Sequence, residues 1–125
     1  MCGIIGISSN KSVSSSIINS LKKLEYRGYD SAGIATLSNG LINEVKSKGR
    51  VENLENNFNL KNLSGNIGIG HVRWATHGVP NSVNAHPHSS DNVSVVHNGI
   101  IENSTLLKKY LLNKGHKFKS QTDTE

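Results

Sequence analysis

The chain contains a single cysteine, at position 2, and that position gives it unusual chemical potential. A small second residue generally permits removal of Met1, which would leave Cys2 with a free α-amine (unperturbed pKa about 7.7 to 8.0) beside a thiol (about 8.5). An amine in that range suits a general base, so one residue would supply both nucleophile and base; the bland alternative is an incidental thiol. Further along, Arg73 follows a strand-like run, where a guanidinium is suited to bidentate capture of a carboxylate or to a surface ion pair. Asn98-Gly99 ends another such run. A side-chain amide and a glycine N–H are the donors an oxyanion hole uses, although Asn-Gly also makes a plain turn. Histidines at 71, 77, 86, 88 and 97 raise the question of zinc, but their spacings match no helical His-x3-His or Cys/His pattern. No metal site and no cofactor are expected, and the rings are expected to serve as hydrogen-bonding groups between strands.

These residues need elements to position them. Ile4, Ile5 and Ile7, spaced by small glycines, predict a buried strand that anchors the reactive terminus. Val13, Ile17, Ile18, Leu21 and Leu24 predict an amphipathic helix over 12–24, capped by the serines ahead of it and packed on the first strand. Residues 25–33 form a polar, glycine-flanked loop too rich in Arg and Asp for a simple connection. Residues 34–37 and 41–45 make a hairpin about Ser38-Asn39-Gly40. Val51, Leu54, Phe58 and Leu60 suggest a short helix, closed by the polar segment 62–66. Ile67 to Arg73 alternates like a strand whose small positions let another backbone approach, and it delivers Arg73, Trp74, Thr76 and His77 onto a loop. Val93 to Val96 reads as a further buried strand. Leu106, Leu107, Tyr110 and Leu111 predict a helix from Asn103 that stops at Gly115. Phe118 then begins a strand, and Thr122-x-x-Glu125 is a helix-starting capping box.

A length of 125 residues with 34% hydrophobic content suits one domain and one core. One cysteine leaves no intrachain disulfide. The chain shows no apolar run long enough for a membrane span and no signal-peptide pattern, so a cytoplasmic protein that binds no membrane is expected. The net charge of +5 comes from eleven scattered lysines and three arginines, without an RNA-binding aromatic motif. A solvated surface rather than a nucleic-acid partner follows.

Six motifs together carry a resemblance. They are Cys2-Gly-Ile-Ile-Gly6, Glu25-Tyr-Arg-Gly-Tyr-Asp-Ser-Ala-Gly33, Gly70-His-Val-Arg-Trp-Ala-Thr-His-Gly78, Asn84-Ala-His-Pro-His88, His97-Asn-Gly-Ile-Ile-Glu-Asn103 and Thr122-Asp-Thr-Glu125. In register along the whole chain, they resemble the glutaminase domain of glutamine:fructose-6-phosphate aminotransferases. These are class II glutamine amidotransferases of the α+β N-terminal-nucleophile hydrolase fold, an αββα sandwich. The resemblance implies Cys2 as nucleophile on L-glutamine, with Asn98 and Gly99 stabilising the oxyanion. It implies Arg73 on the substrate α-carboxylate, Asp123 on its α-ammonium, and Trp74, Thr76 and His77 on a loop closing over it. Arg27 matches a position near the site. Residues 1–125 are then expected to be the first part of the glutaminase domain, with the sugar-isomerase domains absent. Two readings follow: glutamine hydrolysis supplying ammonia for glucosamine 6-phosphate, alone or with the remainder of the synthase or a homodimer partner, or an inactive truncated remnant.

Overall fold

The computed structural model describes residues 1–60, 63–75 and 78–125. Along the chain run β1 (Gly3–Ser8), α1 (Ser14–Leu24), a 3₁₀ turn (Glu25–Arg27), β2 (Ser31–Ser38), β3 (Leu41–Lys48), α2 (Glu52–Asn57), β4 (Ile67–Arg73), β5 (His88–Ser90), β6 (Val93–Val95) and α3 (Ser104–Asn113). Strands β1 to β4 form an antiparallel sheet in the order β1-β4-β2-β3, and β5 pairs with β6 separately. In the central strand β4, His71 pairs with Ile4 on one side and Gly33 on the other.

Side chains alternate between the two faces of the sheet. On one face Ile34 and Val72 join Val13, Ile17, Ile18 and Leu21 in the core under α1. Beneath the helix a Cβ on Gly70 would lie 2.6 Å from Ile17 Cγ2. The small positions of β4 therefore admit helix side chains, and at Gly68 also the neighbouring backbone that the alternation suggested, a Cβ there lying 3.0 Å from the Ala35 carbonyl oxygen. A closer backbone approach occurs in β2, where a Cβ on Gly33 would collide with the His86 carbonyl oxygen. The serines expected to cap α1 do not do so. Ser14 instead donates its hydroxyl to the Leu63 carbonyl, and the Val13 N–H donates to Gly65 O at 3.0 Å. The helix start is buried against that loop, which takes the hydroxyl of Ser14 and the N–H of Val13.

The β2–β3 hairpin turns on Asn39 (φ 51°) and Gly40 (φ 76°), the left-handed pair a two-residue turn requires. It draws Ser31 to Gly33, expected in the loop, into the strand. Val51 and Leu54 are fully buried about the start of α2, as their spacing predicts; Asn62, in the segment expected to close it, lies outside the described residues.

On the opposite face, residues 84–88 lie over β2 and β4, and the β5–β6 hairpin lies beyond them. Val93 to Val96 is not the buried strand expected. β6 has three residues, with Val93 60% and Val95 40% exposed, because both face a hollow that Leu111 and residues 116–119 line from the other side without filling it. Helix α3 stops at Gly115 as predicted: the Gly115 N–H donates to Leu112 O and the His116 N–H to Leu111 O, the Schellman pattern. None of its residues is buried. No strand begins at Phe118. The Lys119 and Ser120 N–H groups donate to the Glu125 carboxylate at 2.8 and 2.6 Å instead of to a strand. Glu125 is thereby drawn away from the capping box expected at Thr122, whose N–H donates to Ser120 Oγ at 3.2 Å. Among the described residues no helix is long and apolar enough to cross a membrane.

Candidate active site

The pairing of Gly3 with Val72 brings Cys2 beside the end of β4. Its half-buried sulfur accepts the Trp74 N–H at 3.2 Å and lies 3.4 Å from Trp74 O. The residue before it is also held. The Met1 ammonium donates to Arg27 O at 2.8 Å, and Arg27 Nη2 lies 3.4 Å from Met1 Sδ.

Arg73 is 3% exposed. Its pairing with Ser31 places Asp30 alongside. The Asp30 N–H donates to Arg73 O at 2.8 Å, while its carboxylate accepts the Ala75 N–H and, at 2.9 Å, the Ser31 hydroxyl. Arg73 Nη1 lies 3.9 Å from Asp30 Oδ1, and Nη2 lies 3.5 Å from Gly78 O. Both exceed the ~2.7–2.9 Å of a tight charge-assisted bond. Asp30 thus ties residues 73–75 to the start of β2, a positioning role that the dense 25–33 loop signalled only as a region of interest. The same loop carries Trp74: Gly28 has φ 105°, and a Cβ there would lie 2.6 Å from the indole Cε3. Trp74 itself is 53% exposed over this seat.

Asn98 Nδ2 donates to Cys2 O at 3.3 Å. Asp123 Oδ2 accepts the Ile101 N–H at 2.7 Å. A cavity of about 220 Å³ is lined by Cys2, Arg73, Trp74, Asn98, Gly99 and Asp123 among others. Six residues scattered from position 2 to position 123 therefore share one hollow. Thr76 and His77 lie outside the described residues. The hollow brings a thiol, a side-chain amide and a glycine together with a buried cation and a carboxylate.

Beneath it His71, His86 and His88 form a buried column. The His71 and His86 rings stack at 4.4 Å, and His88 meets His86 edge-on at 4.7 Å. Burial, helped by neighbouring positive charge, pushes His71 and His88 down to about 4 and His86 to about 2, so all three are neutral at pH 7. His71 Nε2 lies 3.1 Å from His97 O, and the His97 N–H donates to His86 Nδ1 at 3.3 Å. His88 Nε2 lies 2.8 Å from Thr122 Oγ1. Among the described residues no group of three or more His, Cys, Asp or Glu is arranged to hold a metal.

A family model described as a glutamine amidotransferase domain matches residues 56–125. The chain belongs to this family. Over its full length it is 61% identical to a glutamine--fructose-6-phosphate aminotransferase [isomerizing] of Clostridium acetobutylicum and 56% identical to one of Pyrococcus horikoshii. It spans 21% of the length of each of these curated relatives. Among solved structures, 99% of the chain superposes with a TM-score of 0.83 and 29% identity on a glutamine phosphoribosylpyrophosphate amidotransferase from B. subtilis, covering 27% of that chain. A structure titled as the allosteric regulatory enzyme of purine biosynthesis gives 0.84 and 30%, with 28% of that chain covered. The α+β, N-terminal-nucleophile hydrolase fold expected from the sequence is thus the fold observed, over the part that this amidotransferase domain spans.

Proposed function

We propose that this domain hydrolyses the side-chain amide of L-glutamine at Cys2 and supplies the ammonia for making glucosamine 6-phosphate from fructose 6-phosphate. The observation that carries the reading is the shared cavity of Cys2, Arg73, Asn98, Gly99 and Asp123. With Met1 attached, the Cys2 nitrogen is an amide without a basic lone pair, so loss of Met1 is the activating step. The freed amine takes the thiol proton as sulfur attacks the amide carbon. A C–S bond forms, and the oxyanion is met by Asn98 Nδ2 and the Gly99 N–H. The amine returns its proton to the departing nitrogen, the C–N bond breaks and ammonia leaves. Water then cleaves the thioester, releasing glutamate and restoring the thiol.

Arg73 is assigned the substrate α-carboxylate and Asp123 the α-ammonium, with Trp74, Thr76 and His77 closing over them. In this reading residues 1–125 form part of a glutaminase domain, and the isomerising step belongs to a sugar-isomerase part outside them. A second reading, a fragment that keeps the site residues without turnover, draws on the unburied α3 and the exposed valines of β6.

Intact-mass spectrometry with a diazo-ketone analogue of glutamine separates the two. Loss of Met1 and a single adduct, blocked by glutamine and absent in Cys2→Ala, is the expected result. No Cys2-dependent adduct would refute the hydrolytic reading and favour the fragment.

A further inference from the structure

The oxyanion donors assigned above belong to a short segment whose preceding peptide groups are gripped at both poles. His97 immediately precedes Asn98 and Gly99. Its N–H donates to His86 Nδ1 at 3.3 Å, and its carbonyl oxygen lies 3.1 Å from His71 Nε2. A backbone N–H can only donate and a carbonyl can only accept. His86 must therefore keep Nδ1 bare, and His71 must carry its proton on Nε2. The two rings stack at 4.4 Å and are 5% and 0% exposed, so neither can turn to water. The assignment leaves His71 Nδ1 a bare, buried nitrogen without a hydrogen-bond partner. Such an arrangement costs free energy, which a ring present only to fill space would not require. His71 is rooted in the central strand β4, and residues 84–88 lie against β2 where Gly33 admits the His86 carbonyl. Both grips on His97 thus lead back to the rigid sheet that also places Cys2.

We propose that His71 and His86 are positioning residues that hold the His97 peptide groups from either side and thereby fix Asn98 and Gly99 at the distance from Cys2 that oxyanion stabilisation needs. Neither ring exchanges a proton with substrate. The inference deepens the hydrolytic reading and rests on it for its kinetic consequence, whereas the grip itself can be tested without turnover.

The two positions demand opposite mimics. The amide nitrogen of Gln reaches where a histidine Nε2 sits, and the amide oxygen of Asn reaches where Nδ1 sits. His71→Gln and His86→Asn should therefore keep kcat for glutamine hydrolysis within about threefold. His71→Asn and His86→Gln, equally polar and of similar size, should lower kcat by about 10- to 100-fold with little change in KM, the scale of a displaced catalytic donor. Hydrogen exchange of the His97 amide provides the second readout. Its protection should survive in His86→Asn and fall at least tenfold in His86→Gln. The crossed pattern is what a clamp predicts and what space-filling does not. Equal effects of Asn and Gln at either position, whether both tolerated or both unfolded, would overturn the proposal, as would losses confined to KM. If the wild-type chain shows no Cys2-dependent hydrolysis, the hydrolytic reading fails while the exchange experiment still decides whether His86 holds His97.

Discussion

Acidification should destabilise this domain through its histidine column. An unfolded histidine titrates near 6.5, whereas His71 is pushed down to about 4, by burial first and then by the positive charge of Arg73 and its histidine neighbours. At pH 5 the unfolded ring is about 97% charged and the native one about 9%. The unfolded state therefore binds more protons between pH 6.5 and 4, and stability falls as pH falls through that window. For His71 alone the loss between pH 7.5 and pH 5 is about 2 kcal/mol. His88, also at about 4, and His86, at about 2, act in the same direction. Their shifts include mutual repulsion, so the three do not simply add; even so, the total is a large share of the roughly 5–15 kcal/mol by which domains are stable. The assay is urea unfolding followed by circular dichroism at pH 7.5, 6 and 5, on wild type and on His71→Gln, which cannot titrate. Wild type should lose at least about 2 kcal/mol across the range, and the variant about 2 kcal/mol less than wild type. Parallel pH profiles for the two proteins would refute the assignment of the loss to a buried neutral ring.

Three further outcomes follow from particular contacts. Leu21→Ala, at a fully buried position under α1, should cost about 3 kcal/mol in urea unfolding, and a loss under about 1 kcal/mol would mean that the helix is not seated as described. Gly28→Ala places a Cβ against the Trp74 indole at φ 105° and ψ 147°, a region costing other residues about 1–3 kcal/mol. The fluorescence of the chain's one tryptophan should shift and glutamine affinity should fall, and an unchanged spectrum would count against the Gly28 seat. Arg73→Lys replaces a planar fork with a point charge and should raise KM for glutamine about 10- to 100-fold with a smaller effect on kcat; an unchanged KM would remove Arg73 from carboxylate binding.

Much of the site was legible because its chemistry depends on residue type. Cys2, Arg73, Asn98 and Gly99 were singled out by residue type and Asp123 only through the family resemblance, and all five line one cavity. Helix and hairpin positions were legible as well, since the period of α1 and the Asn39-Gly40 turn are local signals. The errors have a common cause in long-range partners that no local pattern encodes. The serines ahead of α1 look like caps, yet Ser14 gives its hydroxyl to the Leu63 carbonyl of a distant loop. Phe118 looks like a strand start, yet the adjacent N–H groups of Lys119 and Ser120 are taken by Glu125. Val93 to Val96 has the composition of a buried strand, but burial depends on what lies opposite it.

By itself, the sequence determined which atoms are available: one thiol at the second position, a guanidinium and an amide at strand ends, and the periodicities that make α1 and the four-stranded sheet. Tertiary structure alone decided which of those atoms meet. The antiparallel register of β1, β4 and β2 sets Cys2 beside Trp74 and Asp30 against residues 73–75, and close packing stacks His71 on His86 around the His97 backbone. Residue type is a property of each position taken singly, whereas register and burial belong to pairs of positions far apart in the chain, and those pairs form only when the sheet closes.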